Sequence, residues 1–204
     1  MFERVKPYIR GRVLEVGSGA GDLAAVCFQQ GIPMYLSDGN EAQRSFLKER
    51  FSGQAGLKGV IPINLSDTDF DTRYAHFLGV FDTIVALNVS SPLVESSLSL
   101  SNCNKLLRRG GYFFIVAPAH AALYNGLDQG LKYWYNYNLT LINKLLFFDF
   151  DVIKARYFNL GESSFASDPV TRYNKYVPLF RVEGSLAIPP KGLCVLVVGK
   201  KKKL

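Results

Sequence analysis

Val13 to Ala24 reads VLEVGSGAGDLA, a run that commits the chain to one local path: buried strand, glycine-rich turn, opening of a helix. Val13, Leu14 and Val16 are strand residues. Gly17, Gly19 and Gly21 remove the side chains that would keep a ligand off the backbone at the strand's carboxyl end, and Ser18 sits among them. The helix that follows aims its first N–H groups at whatever lies there.

Two acids narrow the ligand. A dinucleotide fingerprint, G-x-G-x-x-G, requires glycine at position 22, where this chain has Asp22, so a pyrophosphate would meet a carboxylate. Glu15, two residues before the first glycine, adds a second acid that a diphosphate avoids and a cation favours. S-adenosylmethionine, with its ammonium and sulfonium, suits such a pocket better than NAD. The second strand, Pro33 to Ser37, runs into Asp38, an acid placed to accept both ribose hydroxyls of either cofactor. A third strand, Val60 to Ile63, runs into Asn64-Leu65-Ser66-Asp67, where an adenine is expected, with Asn64 or Asp67 accepting from its amine. A fourth, Phe81 to Leu87, runs into Asn88.

LEVGSGAG, Asp38 and FDTIVALN together resemble a class I S-adenosylmethionine-dependent methyltransferase. Leu106 to Asp128 (LLRRGGYFFIVAPAHAALYNGLD), RYFN at Arg156 to Asn159 and the closing PPKGLCVLVVGKK resemble a bacterial subgroup found with cell-envelope glycosyltransferases. The resemblance implies a Rossmann-like α/β fold: a seven-stranded, mostly parallel sheet, an antiparallel last strand inserted between the fifth and sixth, and helices on both faces. It implies S-adenosylmethionine as cofactor and methyl transfer to a small molecule or a cell-envelope saccharide or glycolipid, to oxygen. Where the subgroup reads N-V-L-E-H after strand four, this chain has Asn88-Val89-Ser90-Ser91-Pro92, and its G-H-x-R-R-Y window is Lys132 to Tyr137. The alternative is therefore a catalytically degenerate, cofactor-binding subunit that supports a partner protein.

The acceptor must approach over the ends of strands four and five. His120, just past strand five, is the candidate base there. Tyr124, Tyr133, Tyr135 and Tyr137, with Trp134, are candidates to line an acceptor groove, with core packing as the alternative. Nucleic-acid methylation is disfavoured, because the N/D-P-P-Y/F motif that cradles a target amine is absent after strand four.

Further elements follow from capping and periodicity: helices Phe2 to Ile9, Asp22 to Gln30, Asn40 to Phe51 and Asp69 to Leu78. Another runs from Pro92 to Arg109 ahead of Gly110-Gly111, and a last one from Leu139 to Leu146. Strands five, six and seven are expected at Tyr112 to Ala117, Asp151 to Phe158 and Leu193 to Val198. With 204 residues, 48% of them hydrophobic and 20% charged, one well-cored domain accounts for residues 1–204. Residues 159–191, with four prolines, read as a lid or substrate-facing insertion and 200–204 as a basic tail.

Cys27, Cys103 and Cys194 stand far apart among apolar neighbours, which points to buried thiols rather than zinc or redox chemistry, and no metal is expected. No apolar run approaches the roughly 20 residues of a membrane span, and the first ten residues lack the apolar centre of a signal peptide. A cytoplasmic address is the expectation. The net charge of +7 is uneven: residues 151–204 hold ten Lys/Arg against four Asp/Glu. Four of those are Lys200 to Lys203, a run that is solvated or holds the protein at an anionic inner-membrane surface.

Overall fold

A computed structural model describes residues 6–87, 97–118, 150–159 and 193–202. Seven strands form one sheet in the order β3-β2-β1-β4-β5-β7-β6. They are β1 (Val13–Val16), β2 (Met34–Ser37), β3 (Leu57–Ile61), β4 (Phe81–Leu87), β5 (Leu107–Pro118), β6 (Phe150–Asn159) and β7 (Leu193–Lys201). The first five run parallel, and β7 lies antiparallel between β5 and β6. This is the Rossmann-like architecture expected from the sequence. Because β1 has β2 on one side and β4 on the other, the strand order reverses there, and the carboxyl end of β1 opens onto the switch-point crevice.

All four residues of β1 are buried, including Glu15, as a central parallel strand covered on both faces requires. On one face, helices α1 (Asp22–Gln29) and α2 (Glu41–Arg50) cover the sheet with Leu23, Ala24, Cys27, Phe28 and Leu47. On the other, the short α3 (Phe70–Arg73) and α4 (Ser97–Leu106) bring Phe70, Leu100, Cys103 and Leu106 against Leu14, Ile84, Phe113 and Ile115. Each fully buried side chain of this size contributes about 1.5–3 kcal/mol, so the two layers hold the strand ends rigidly.

Local chemistry sets the helix limits. The α1 helix ends in a left-handed Gly31, with Gly31 N–H bonded to Phe28 O at 3.0 Å and Ile32 N–H to Cys27 O at 2.9 Å, a Schellman closure. Asn40 caps α2, its side-chain oxygen accepting from Ala42 N–H at 2.8 Å and Gln43 N–H at 3.4 Å.

Several boundaries depart from the sequence reading. The third strand stops at Ile61 rather than Ile63, because Pro62 has no N–H for the ladder. The helix expected over Asp69 to Leu78 is one turn of α3 followed by a 3-10 turn at Ala75–Phe77; Asp69 gives no side-chain cap and only Phe70 of α3 is buried. Of the expected first helix, the described residues show a 3-10 turn at Lys6–Tyr8.

The helix expected over Pro92 to Arg109 does not reach its last two residues, because Arg108 and Arg109 belong to β5: Leu107 pairs with Phe81, and the Arg108 guanidinium meets the Asp82 carboxylate. The cation that completes α4 is Lys201, whose ammonium donates to Asn104 O at 2.8 Å and Leu107 O at 2.7 Å, carbonyls that the helix end leaves open. Lys200 and Lys201 are thus strand residues rather than tail. Cys27 and Cys103 are buried free thiols, and burial raises both: Cys27, beside Glu15, to about 12. Leu139 to Leu146 and residues 160–191 lie outside the described residues.

Candidate functional site

The glycine turn after β1 is built as its sequence demands. Gly17, Gly19 and Gly21 take φ of 66°, 50° and 81°, a region that suits glycine. At Gly21 a side chain is excluded twice, since a Cβ would lie 2.6 Å from Phe51 and 2.8 Å from Leu47. At Gly19 a Cβ would meet nothing within 4 Å, so the turn faces open space there.

Ser18 and Ser37 lock this turn to the end of β2. Ser18 N–H donates to Ser37 O at 2.9 Å, Ser37 N–H to Ser18 Oγ at 3.2 Å, and the Ser37 hydroxyl to Glu15 O at 3.0 Å. Asp38 extends the link. Its Oδ2 accepts from Gly19 N–H at 3.1 Å and its Oδ1 from Asn40 N–H at 2.9 Å, so the carboxylate stands between the glycine turn and the start of α2. Each oxygen keeps a lone pair for a further donor.

Glu15 is the anomaly. It is 3% exposed, in the centre of the sheet, and its Oε2 has no hydrogen-bond partner among the described residues. Burial is the main reason that its carboxyl is pushed up to about 8; the Ser18 hydroxyl opposes the rise and the Asp22 charge adds to it. A buried carboxyl with one unpartnered oxygen at a strand's carboxyl end is a group awaiting a donor or a cation.

Two residues missed at the sequence level brace the loops. Arg44 Nη1 donates to Asp38 O at 2.9 Å and Gly39 O at 2.8 Å. At the far end of α2, Arg50 Nη1 reaches Ala20 O in the glycine turn and Asp22 Oδ1, the latter at 2.9 Å. The two arginines lie six positions apart on the helix that Asn40 caps, and that spacing is the only local signal of them. Asp22, which the sequence presents as a bare carboxylate, is therefore paired.

Beyond β3, Asn64 and Asp67 meet in one turn. Asp67 accepts from Asn64 Nδ2 at 2.8 Å, Arg73 Nη1 at 2.9 Å and the Tyr74 hydroxyl at 2.8 Å, while Asn64 Oδ1 accepts from Ser66 N–H at 3.1 Å. Leu65 is buried, and Asn102 of α4 anchors the turn by donating to Leu65 O and Asp67 O at 2.9 and 3.1 Å. Three donors already occupy Asp67, whereas Asn64 is exposed. Glu15, Gly17, Ser18, Gly19, Gly21 and Asp38 thus come together at the switch point, with Asn64, Leu65 and Asp67 on the β3 turn. Asn88, His120, Tyr124, Tyr133, Tyr135 and Tyr137 lie outside the described residues.

Residues 14–113 match the methyltransferase domain family. No curated protein matches the sequence significantly. Among solved structures, a S-adenosylmethionine-dependent methyltransferase from Methanosarcina mazei superposes with a TM-score of 0.69 at 13% identity, over 99% of this chain and 98% of that one. A second such methyltransferase, from Archaeoglobus fulgidus, gives 0.63 at 17% identity, over 98% and 91%. The CurJ carbon methyltransferase gives 0.61 at 16% identity over 99% of this chain, which spans 51% of that longer one. Residues 14–113 thus match a methyltransferase domain and the chain shares the fold of S-adenosylmethionine-dependent methyltransferases, which makes S-adenosylmethionine the cofactor for the site to fit. The residues present fit S-adenosylmethionine: a buried carboxyl with one unpartnered oxygen for a cation, a carboxylate with spare acceptors for a diol, and open space over Gly19.

Proposed function

We propose that the chain transfers the methyl group of S-adenosylmethionine to a hydroxyl of a small molecule, or of a cell-envelope saccharide or its lipid-linked precursor. The observation that carries the cofactor half is that Glu15, with one unpartnered carboxyl oxygen, and Asp38 stand together at the two strand ends that flank the glycine turn. In this reading Glu15 takes the ammonium, Asp38 the ribose hydroxyls, and Asn64, the less occupied of the β3 turn's two polar side chains, the adenine amine, with Leu65 beneath it. Gly17, Ser18, Gly19 and Gly21 shape the backbone against the cofactor, and Asn88, next after β4, borders the methyl group.

When bound, the cofactor supplies a carbon already activated by its sulfonium. The protein's task is then alignment, because in-line displacement depends on acceptor and methyl sharing one axis. His120, two positions past the end of β5, takes the hydroxyl proton in this reading. Tyr124, Tyr133, Tyr135 and Tyr137 cover the acceptor, since aromatic faces stack on sugars and shield apolar chains. The acceptor class is supported by the resemblance of Leu106 to Asp128 and Arg156 to Asn159 to the cell-envelope subgroup.

Incubation with methyl-labelled S-adenosylmethionine and a lipid and saccharide extract tests this. Label is expected in that fraction, and His120→Ala is expected to abolish its transfer while S-adenosylhomocysteine still binds. Label confined to protein or RNA, or tight S-adenosylhomocysteine binding with no transfer to any extract, would overturn the proposal.

A further inference from the structure

Basic side chains scattered along the sequence meet at the end of the sheet opposite the glycine turn. Parallel strands β1, β4 and β5 begin there, at Val13, Phe81 and Leu107. Antiparallel β7 finishes there, with Lys200 opposite Tyr112 and Lys201 opposite Phe150. Arg10, Arg12, Arg108, Arg109 and Lys200 share this end, Lys154 of β6 reaches it, and among the described residues the acids beside them are Asp82 and Asp151. Asp82 is already taken up by the Arg108 guanidinium and by Arg12 N–H at 2.7 Å. Asp151 sits across from Lys200 in the register. The described residues thus leave this end with an excess of positive charge.

Three of these cations are held in place by rings. The Arg10 guanidinium carbon lies 4.7 Å from the Tyr112 ring centre, Lys200 Nζ 5.8 Å from the same ring, and Lys154 Nζ 5.9 Å from the ring of Tyr8. Beside them, edge strand β6 breaks register between Val152 and Lys154. Val152 and Ile153 at that break are 37% and 43% exposed, two aliphatic side chains facing water next to the cations.

We propose that this end of the sheet docks on an anionic lipid bilayer. Cations on a rigid frame are drawn to the negative surface, and an aliphatic pair among them enters the headgroup boundary, where phosphates alone would offer it nothing. A single-stranded nucleic acid would instead need open aromatic faces for its bases. Tyr8 and Tyr112 do not offer them, being packed edge to face 5.6 Å apart and overlaid by the cations. The cofactor turn, at the opposite end of the sheet, then points away from the bilayer.

Cosedimentation with phosphatidylcholine vesicles, with and without phosphatidylglycerol, reads this out. Binding is expected only to the anionic vesicles and to weaken as salt shortens the Debye length. Lys154→Gln with Lys200→Gln should lower partitioning roughly 25-fold, at about fivefold per charge near the surface. The control pair Lys48→Gln with Lys58→Gln removes the same charge from α2 and β3, at the other lateral edge of the sheet and away from the exposed aliphatic pair, and should change it less than the first pair does. Ile153→Ser should cost a further severalfold. S-adenosylhomocysteine titration of each variant reports folding and the cofactor site separately. Equal binding to neutral vesicles, equal losses in the two lysine pairs, no effect of Ile153→Ser, or retention by single-stranded RNA alone would each overturn the proposal.

Discussion

Replacing Glu15 with glutamine should make the cofactor-free protein more stable while weakening its hold on the cofactor. The carboxyl lies 3% exposed with an unpartnered oxygen, and burial raises it from 4.5 to about 8. At neutral pH the unfolded chain has this group ionised whereas the folded chain keeps it protonated. The sign follows: stability is fully present below 4.5, falls as pH rises through the interval to about 8, and is flat above it. Over the part of that interval lying below neutral pH, at about 1.36 kcal/mol per unit, the loss amounts to about 3 kcal/mol. Glutamine keeps the shape without the ionisation, so Glu15→Gln should raise the melting temperature near neutral pH by roughly 6–12 °C. The gain should vanish below pH 4.5. Calorimetric melting of both proteins across this range, with S-adenosylhomocysteine titrated in parallel, is the assay. Loss of a charge-assisted contact should weaken that ligand by about 10- to 100-fold. A variant no more stable than the parent at neutral pH, or a parent whose stability is flat between 4.5 and 8, would refute the reasoning.

Gly21→Ala should destabilise by about 3 kcal/mol in urea unfolding, since a Cβ at φ 81° would press on Phe51 and Leu47. Arg50→Gln, which releases Ala20 O and Asp22, should weaken S-adenosylhomocysteine binding by about tenfold in calorimetry, in line with a lost charged hydrogen bond. Arg50→Lys should restore part of that affinity. Lys201→Met should cost about 1–2 kcal/mol in urea unfolding by uncapping the end of α4, with cofactor affinity unchanged.

What the sequence made legible was local. The strand, glycine turn and helix at Val13 to Ala24, the Asn40 cap and the limits of β4 depend on residues within a few positions of one another, where propensity and capping act directly. The antiparallel β7 came from resemblance rather than pattern. What stayed hidden is held by distant partners. Lys201 finds Asn104 O and Leu107 O across more than 90 positions, so a terminal lysine run reads as tail until β7 is placed beside β5. Arg108 and Arg109 suit a helix end by composition, yet sheet pairing of Leu107 with Phe81 and the Asp82 carboxylate draw them into β5. At the site, Asp67 looked as able as Asn64 to meet a base, and only the converging Arg73 and Tyr74 show how fully it is occupied. Arg44 and Arg50 had no motif, because a brace on a neighbouring loop's carbonyls needs only reach and charge.

Parallel calorimetric titration with S-adenosylhomocysteine and NAD bears most directly on the pocket that Glu15, Asp38 and the glycine turn enclose. Saturable heat with S-adenosylhomocysteine, weakened in Glu15→Gln and Asp38→Ala, with none from NAD is the expected result. Binding of NAD in preference, or of neither ligand, would contradict it.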